Sequence, residues 1–454
     1  MASVLTGLGG SAINVALPEI ARHTHADATA SSWILLAFQL TTTVLMVAFG
    51  RLADMYGRRT MYLIGLGTYT LAALCAGLTP YPWVIVGFRV LQAAGAAMLL
   101  TNSAALVTDA FPRDKVGEGM GVYVASFSIA QLAGPTLGGF LAEHLGWQWV
   151  FWYNVPVGVA CLVWGAIVLR RIPPAGRESG LDLPGNALVL VSLGGLLLAL
   201  SEVSRLGWSH PVVVCGLVAF AAGLPLFVLR ERRAAHPVVD MAMFREPSFA
   251  LGTLASFLNS VARVGMVFLV ALYFQAVRGD DAITAGVKVL PLAVAAMLAS
   301  ASSGFLQRWL RARTLAVAGA SITTCGLLVM LATISTSVPY AVMAVSIALI
   351  GFGSGVFLPS NTTVILHGQP SHRLGIVNAM RLMLQNTGVV VGTAVSLSII
   401  TAPLPAVLHD EVFAGTLRGG PVELLVIGYR WALGVMAAIS ALNVVTCAAR
   451  GKAR

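Results

Sequence analysis

The stretch GRLADMYGRR, residues 50–59, lies between two long apolar segments, residues 33–50 and 60–78. Each segment approaches the roughly 20 residues that a helix needs to cross about 30 Å of hydrocarbon. The stretch itself is short and concentrates charge. It is therefore predicted to form a tight turn at a membrane surface between two spanning helices, and the rest of the chain repeats this alternation of apolar segments and short charged loops.

The residue types in this turn allow two interpretations. Gly50 and Gly57 let helices end and the backbone turn where a Cβ would obstruct it. Asp54 can cap a helix start and pair with Arg58 or Arg59. The plainer alternative is an ordinary basic loop that only marks the cytoplasmic side of the membrane.

The composition indicates an integral membrane protein of the all-α class. The chain has 454 residues, of which 57% are hydrophobic and 10% are charged, and its mean hydropathy is +0.85. Soluble domains carry about 25% charge. The net charge of +10 is spread between the apolar segments, whereas a nucleic-acid reader clusters its basic residues on one surface. No nucleic-acid partner is predicted.

The pattern of chemically active residues argues against an enzyme. The five cysteines all fall in apolar segments without paired spacing, so neither disulfides nor a metal site is predicted. No phosphate-binding loop or nucleophile constellation stands out, and we predict no cofactor.

We predict fourteen membrane spans. The first apolar segment is short and lacks the basic lead of a signal peptide, so we expect either an unusual start or a few further residues upstream. The predicted spans are residues 2–17, 33–50, 60–78, 83–107, 119–141, 150–169, 184–201, 211–229, 249–275, 283–305, 315–334, 339–366, 375–400 and 425–448.

The distribution of basic residues tests this count. With fourteen spans, nineteen of the 28 Lys and Arg residues lie on the side of residues 50–59, and four lie on the other side. Because loops rich in Lys and Arg stay in the cytoplasm, the asymmetry places both termini there, in a protein of the cell membrane.

Two apolar segments carry motifs of their own. The fourth contains RVLQAAGAA, residues 89–97, in which Arg89 and Gln92 lie at membrane depth, where a charge is costly and usually functional. The alternative for Arg89 is a structural role, satisfied by backbone carbonyls. The fifth contains AGPTLGG, residues 133–139, whose small residues favour close helix packing.

Several stretches together resemble signatures of the major facilitator superfamily of secondary transporters. Residues 50–59 resemble its loop between the second and third helices, residues 89–97 its fourth helix, and residues 133–139 the fifth helix of its proton-driven exporters. WQWVFWYNVPVG, residues 147–158, and NVALP, residues 14–18, resemble the fourteen-helix drug/proton antiporter branch. The resemblance covers essentially the whole chain.

The resemblance implies roles for individual residues. It implies a conformational gating loop (Gly50, Asp54, Gly57, Arg58, Arg59), a part in proton coupling for Arg89 and Gln92, and an antiporter motif in the fifth helix (Gly134, Pro135, Gly138, Gly139). The chain departs from the pattern at Gly9 and Gln148, where many relatives have Asp and Arg, and it lacks the glycine that usually precedes the fifth-helix motif.

An internal repeat predicts the domain organisation. Residues 304–313, GFLQRWLRAR, keep the basic residues of the charged turn but lose its Asp. Four positions also recur at an offset of 254: Gly121, Gln131, Gly134 and Gly138 return as Gly375, Gln385, Gly388 and Gly392. The offset leaves room for two extra spans between two six-helix halves. We therefore predict an N-terminal half at 1–170, two linker helices in 171–235, and a C-terminal half at 236–454.

Charges at membrane depth suggest the substrate class. None of the 18 acidic residues lies near the middle of a predicted span. A site for cations would want a buried carboxylate, so neutral or anionic, partly apolar substrates are favoured. The candidate residues of the substrate cavity are Asn14, Asn259, Arg263, Asn361, Arg381 and Gln385.

The sequence thus predicts proton-coupled export of an amphipathic small molecule by a transporter that works in the lipid bilayer as a monomer. One alternative is an importer or facilitator of an organic anion, favoured by the intramembrane cations and disfavoured by the fifth-helix motif. Another is a membrane receptor on the same scaffold that transports nothing.

Overall fold

The computed structural model describes residues 2–112, 115–169, 182–234, 241–280, 282–335, 337–367, 369, 374–403 and 422–449. Regular structure in these residues is helical. A short 3-10 helix spans Met241–Arg245. The α-helices are α1 Ala2–Thr24, α2 Ala28–Tyr56, α3 Arg58–Ala76, α4 Pro82–Ala110, α5 Val116–His144, α6 Trp149–Trp152, α7 Asn154–Val168, α8 Leu183–Leu206, α9 Pro211–Glu231, α10 Pro247–Ala276, α11 Ala282–Leu306, α12 Ala312–Thr333, α13 Tyr340–Leu366, α14 Leu374–Thr401 and α15 Val422–Ala449.

Ten apolar segments within the described helices are long enough to cross a membrane, and α6 and α7 together form one of them. The count of fourteen spans and the cytoplasmic termini stay predictions. Several of the charges on which the topology depends lie outside the described residues: Arg113, Arg170, Arg171, Arg177, Arg373, Arg418, Arg450, Lys452 and Arg454.

The charged stretch 50–59 is more helical than predicted. Helix α2 continues to Tyr56 and α3 begins at Arg58, so the turn is the single residue Gly57, whose φ of 94° favours glycine. Gly50 lies inside α2 rather than at its end. A Cβ at Gly50 would lie 2.5 Å from Cβ of Ala379, so the glycine serves a close approach to α14.

Glycines also set the packing within each half. In the N-terminal part of the bundle, α5 crosses α1 so closely that a Cβ at Gly138 would overlap the Ala12 carbonyl. In the C-terminal part, α14 crosses α10 in the same way, and a Cβ at Gly392 would lie 2.5 Å from the Val261 carbonyl oxygen. Gly138 and Gly392 are one of the pairs separated by 254 residues, so the repeat corresponds to equivalent helix crossings.

The repeat of the charged turn at residues 304–313 also has a structural counterpart. Arg59 at the start of α3 donates to the Ala166 carbonyl at the end of α7, at 2.7 Å. Arg313, 254 residues later, donates from α12 to the Ala448 carbonyl at the end of α15, at 2.9 Å. The two halves thus tie down equivalent helix ends with equivalent arginines.

Helices α8 and α9 occupy the region predicted for the linker spans. Helix α9 packs against α8, and α8 in turn contacts both α2 and α14. Val189, Leu193 and Leu197 of α8 belong to the same buried apolar cluster as Val44 of α2 and Val377 of α14. Helix α8 therefore lies against both halves, while the exact domain boundaries stay predictions.

The two halves meet most closely at one end of the bundle, through α2 with α14 and α5 with α11. At this end α2 and α11 finish, and α5 and α14 begin. We call it the basic end, because the turn at Gly57 and residues 307–313 lie there.

Candidate functional site

The centre of the basic end is the Asp54 carboxylate, which joins the two halves. One oxygen accepts a hydrogen bond from the Gly375 N–H at 3.2 Å, and the other accepts from the Ile376 N–H at 2.9 Å. Both N–H groups belong to the first turn of α14, where helix N–H groups lack partners within the helix and favour a negative charge. We call this contact the α2–α14 latch (Asp54, Gly375, Ile376).

Arg58 supports the latch from within its own half. Its guanidinium lies 3.5 Å from Asp54 and 2.5 Å from the Asp109 carboxylate of α4, and the Arg58 and Asp54 side chains are only 8% and 5% exposed. A buried arginine shared by two acids holds the carboxylate of Asp54 in position. Of the two acids, Asp54 is the one whose described contacts reach the other half.

A second contact joins α5 to α11 at the same end. Nε of Arg308 donates to the Glu118 carboxylate at 2.7 Å. This hydrogen bond is the main reason that the pKa of Glu118 lies below its ordinary value of 4.5. We call it the α5–α11 latch (Glu118, Arg308). The Arg308 side chain is 52% exposed and that of Glu118 is 27% exposed, so salt screens this pair more than it screens Asp54.

The two latches occupy equivalent places in the two halves. Arg308 follows Asp54 by 254 residues. Asp54 lies in the last turn of α2 and Arg308 lies two residues after the end of α11, and each meets the first turn of a helix from the other half. Asp54 meets N–H groups, whereas Arg308 meets a carboxylate. The second copy of the charged turn therefore keeps a contact between the halves with the charge reversed. The missing Asp is visible in the sequence, whereas the pairing of Arg308 with Glu118 is indicated only by the offset of 254.

A third contact crosses between the halves deeper in the bundle. Nδ2 of Asn378 on α14 donates to the Thr101 carbonyl of α4 at 2.7 Å and to the Leu100 carbonyl at 3.2 Å. Oδ1 of the same amide accepts from Arg381, whose guanidinium also donates to Oε1 of Gln385 at 2.9 Å. Two predicted cavity residues, Arg381 and Gln385, are thus brought together at the interface between the halves.

Arg89 is buried and satisfied within its own half. Its Nε donates to the Ile34 carbonyl at 3.1 Å, one terminal nitrogen donates to Oε1 of Gln92 at 2.7 Å, and the guanidinium lies 4.1 Å from the centre of the Phe38 ring. No carboxylate pairs with Arg89 among the residues that the structure describes. The predicted pair of Arg89 and Gln92 is therefore formed, and their part in coupling stays a proposal.

The space beside Gly9 on α1 is filled by side chains of neighbouring helices. A Cβ at Gly9 would overlap the Tyr69 hydroxyl and would lie 3.1 Å from Oδ1 of Asn154. Tyr69 is fully buried, and its hydroxyl lies 3.4 Å from the Leu5 carbonyl. The hydroxyl of Tyr69 on α3 therefore occupies the space beside Gly9 of α1.

The fifth-helix motif lies where α5 meets α1. A Cβ at Gly134 would overlap Oγ of Ser11, and Gly138 lies against the Ala12 backbone. Gly139 is half-buried, and the side chain of Pro135 is outside the described part of the structure. The motif therefore sets the α1–α5 crossing.

The remaining cavity candidates differ in whether their polar atoms form hydrogen bonds. Nδ2 of Asn361 on α13 donates to the Gly252 carbonyl at 3.0 Å and to Oγ of Ser256 at 2.8 Å, which ties α13 to α10. Asn259 and Arg263 on α10 keep polar atoms without partners among the described residues. The side chain of Asn14 lies outside the described residues.

An all-helical bundle with ten apolar segments long enough to cross a membrane, and with buried polar contacts between its helices, is typical of polytopic membrane proteins. The chain belongs to the Major Facilitator Superfamily, whose family model matches residues 1–393. The membership, together with transporter relatives, identifies a transporter rather than an enzyme. The finer assignment to the fourteen-helix branch stays a prediction.

The relatives include resistance proteins. The multidrug resistance protein Stp of Mycobacterium tuberculosis is 32% identical over 90% of this chain and 77% of its own length. The tetracenomycin C resistance and export protein of Streptomyces glaucescens is 28% identical over 92% of this chain and 78% of its own. Among solved structures, the human organic anion transporter MFSD10 matches with a TM-score of 0.69 at 15% identity, covering 98% of this chain and 97% of that one, which supports the fold alone.

Proposed function

We propose that this protein exports an amphipathic small molecule in exchange for protons, by alternating access of one site to the two sides of the cell membrane. The names of the relatives support the direction, because they describe antibiotic and multidrug resistance and, in one case, export. The resemblance of residues 133–139 to the fifth helix of proton-driven exporters supports the coupling.

The observation that carries the proposal is the α2–α14 latch. Asp54 binds free N–H groups at the start of a helix in the other half, and two oxygens make two bonds at 3.2 and 2.9 Å. Such a contact closes the basic end and is lost when the halves separate there. The contact is made when the basic end is closed and is absent when it is open. It therefore biases the equilibrium between these two arrangements of the halves.

In this account the basic end faces the cytoplasm and the transport unit is a monomer in the lipid bilayer. With this orientation, the contacts of Asp54 and Glu118 would close the transporter on the cytoplasmic side. Since Arg89 stays protonated, it acts in coupling by biasing a neighbouring group. Glu118 is a poor carrier of the transported proton, because Arg308 keeps its pKa below 4.5.

Inside-out membrane vesicles test the proposal. Vesicles containing the protein, acidified inside, should take up members of a panel of radiolabelled amphiphiles, and a protonophore should abolish the uptake. Vesicles without the protein are the control. Uptake of no compound above that control, or uptake that survives the protonophore unchanged, would contradict proton-coupled export.

A further inference from the structure

Arg263, on the tenth helix of the chain, differs from the other cations at membrane depth. Arg89 and Arg381 donate to side-chain amides, Arg430 donates to the Ile334 carbonyl, and Lys288 pairs with Asp280. Arg263 has no hydrogen bond or ion pair among the described residues, and its Nε is buried without a partner. A buried guanidinium nitrogen without a hydrogen-bond partner costs free energy unless a ligand or water accepts a hydrogen bond from it.

The position of Arg263 prevents its charge from reaching a membrane surface. It lies sixteen residues from Pro247 and thirteen from Ala276, the two ends of α10. At 1.5 Å per residue these separations are about 24 and about 20 Å. An arginine side chain, which extends roughly a turn of helix along the axis, cannot snorkel over such a distance.

Asn259 provides a second, independent sign of a ligand. It precedes Arg263 by four residues, so the two side chains share one face of α10. Asn259 is only 1% exposed, and neither Nδ2 nor Oδ1 has a partner among the described residues. Native proteins seldom leave a fully buried amide unsatisfied, so one that is left so indicates a missing partner.

Arg263 itself remains open on one side. The residue as a whole is half-buried, and Nε is the one nitrogen of its guanidinium that is both buried and unpaired. The two terminal nitrogens are therefore accessible. A ligand that approaches this face of α10 meets up to four N–H groups of the fork beside an amide that can donate and accept.

We infer that Arg263 and Asn259 bind the anionic group of the transported compound, and that the substrate is an amphipathic carboxylate. The inference rests on the proposed function and adds the charge of the substrate to it. A planar guanidinium matches a carboxylate through two parallel hydrogen bonds, and Nδ2 of Asn259 supplies a further donor. No carboxylate of the described residues lies on this face to compete for Arg263 or to attract a cation.

Binding to the purified full-length protein tests the inference with a matched pair of probes. Dansylglycine carries a carboxylate, and dansylglycinamide has the same scaffold without the charge. Wild type should bind the acid more tightly than the amide. Arg263→Gln should weaken binding of the acid by about tenfold or more and leave the amide within about twofold, since a charge-assisted hydrogen bond is lost.

Two further variants separate recognition from folding. Arg430→Gln removes another intramembrane arginine, one that already donates to a backbone carbonyl, and should leave the preference for the acid unchanged. Asn259→Leu keeps the volume and removes the unpaired amide, so it should raise the unfolding temperature while weakening binding of the acid. A merely structural Asn259 would not change the two readouts in opposite directions.

The outcomes are distinguishable from those for the proposed function. Equal binding of acid and amide by wild type, binding of neither, or an equal loss of both in Arg263→Gln would overturn the anionic site. If the purified protein prefers the acid through Arg263 but acidified vesicles accumulate no compound, the site stands and proton-coupled export fails.

Discussion

Asp54 differs from Asp109 in one contact, although both are acids that pair with Arg58. Only Asp54 also binds the start of α14. Asp54→Asn should therefore cut the transport rate by roughly tenfold, because the charge at the helix N-terminus is lost, while expression and unfolding temperature stay nearly unchanged. Transport assays and thermal unfolding measure the two effects.

Asp109→Asn is the matched control for that prediction. It removes a carboxylate from the same arginine but breaks no described contact between the halves, so its effect on transport should be clearly smaller. If the two variants lose the same activity, or if Asp54→Asn transports normally, the stretch 50–59 marks topology and does not gate.

A substitution at Arg89 can test whether transport depends on the planar shape of the guanidinium or only on its positive charge. Arg89→Lys keeps the charge, but one ammonium cannot reproduce the fork that reaches both Ile34 and Gln92 while stacking on Phe38. We expect proton-driven transport to fall several-fold while exchange of labelled for unlabelled compound, which needs no gradient, persists. Equal losses in both assays would indicate a structural arginine.

Gly9 shows where residue types alone mislead. Gly9→Asp would not fit without a shift, because its Cβ would overlap the Tyr69 hydroxyl. Gly9→Asp should lower the unfolding temperature, and Tyr69→Phe, which removes that hydroxyl, should recover part of the loss in the double variant. A single variant as stable as wild type would show that the α1–α3 contact yields easily.

The α5–α11 latch is an ion pair between two helical segments, one from each half. Glu118→Arg or Arg308→Glu should each open the basic end and impair transport, and the double variant, which swaps the charges, should recover most of the activity. Because the pair is exposed, high salt should reduce the difference between wild type and the single variants. Failure of the swap to rescue transport would contradict the latch.

The pH dependence of this latch follows from the pKa of Glu118. Because the pKa of Glu118 is lowered, its ionised carboxylate stabilises the closed end at pH values above 4.5, the ordinary pKa of Glu. This stabilisation is lost only as the pH falls below 4.5. Between about pH 5.5 and about pH 8 the latch should contribute no pH dependence. Glu118→Gln should therefore change the rate but not the shape of the pH profile in that range.

Helix positions could be predicted from the sequence because long apolar segments leave few alternatives. The predicted span 339–366 corresponds to Tyr340–Leu366, and 83–107 to Pro82–Ala110. The ends were harder. Helix α1 continues beyond the predicted span 2–17 to Thr24, and α2 continues through charged residues to Tyr56. Hydropathy does not detect polar residues that stay helical because their side chains bind neighbouring helices.

The site was less predictable than the helices, because partners far apart in sequence decide it. Residue types pointed to Asp54 as a helix cap, but the helix it reaches begins 320 residues later, at Leu374. Asn361 stays a prediction for the cavity, and the sequence could not show that its amide also ties α13 to α10. A polar residue at membrane depth indicates that some partner exists, and only the fold shows which one.

At the scale of the whole molecule, two related halves are held together at the basic end by the α2–α14 and α5–α11 latches. Helix α8 lies against both α2 and α14. If the halves rock about a central site, the latches must break as the opposite end closes. We therefore expect opposite movements at the two ends.

Two distances in one molecule test this directly. Spin labels at Lys115 and Trp309 report on the basic end, and labels at Tyr81 and Ser337 report on the other, in a background without the five native cysteines. On addition of a transported compound, the first distance should lengthen and the second should shorten. Without the compound, Asp54→Asn should likewise lengthen the first distance and shorten the second. If both distances lengthen or both shorten, or if Asp54→Asn changes neither of them, alternating access controlled by the latches is contradicted.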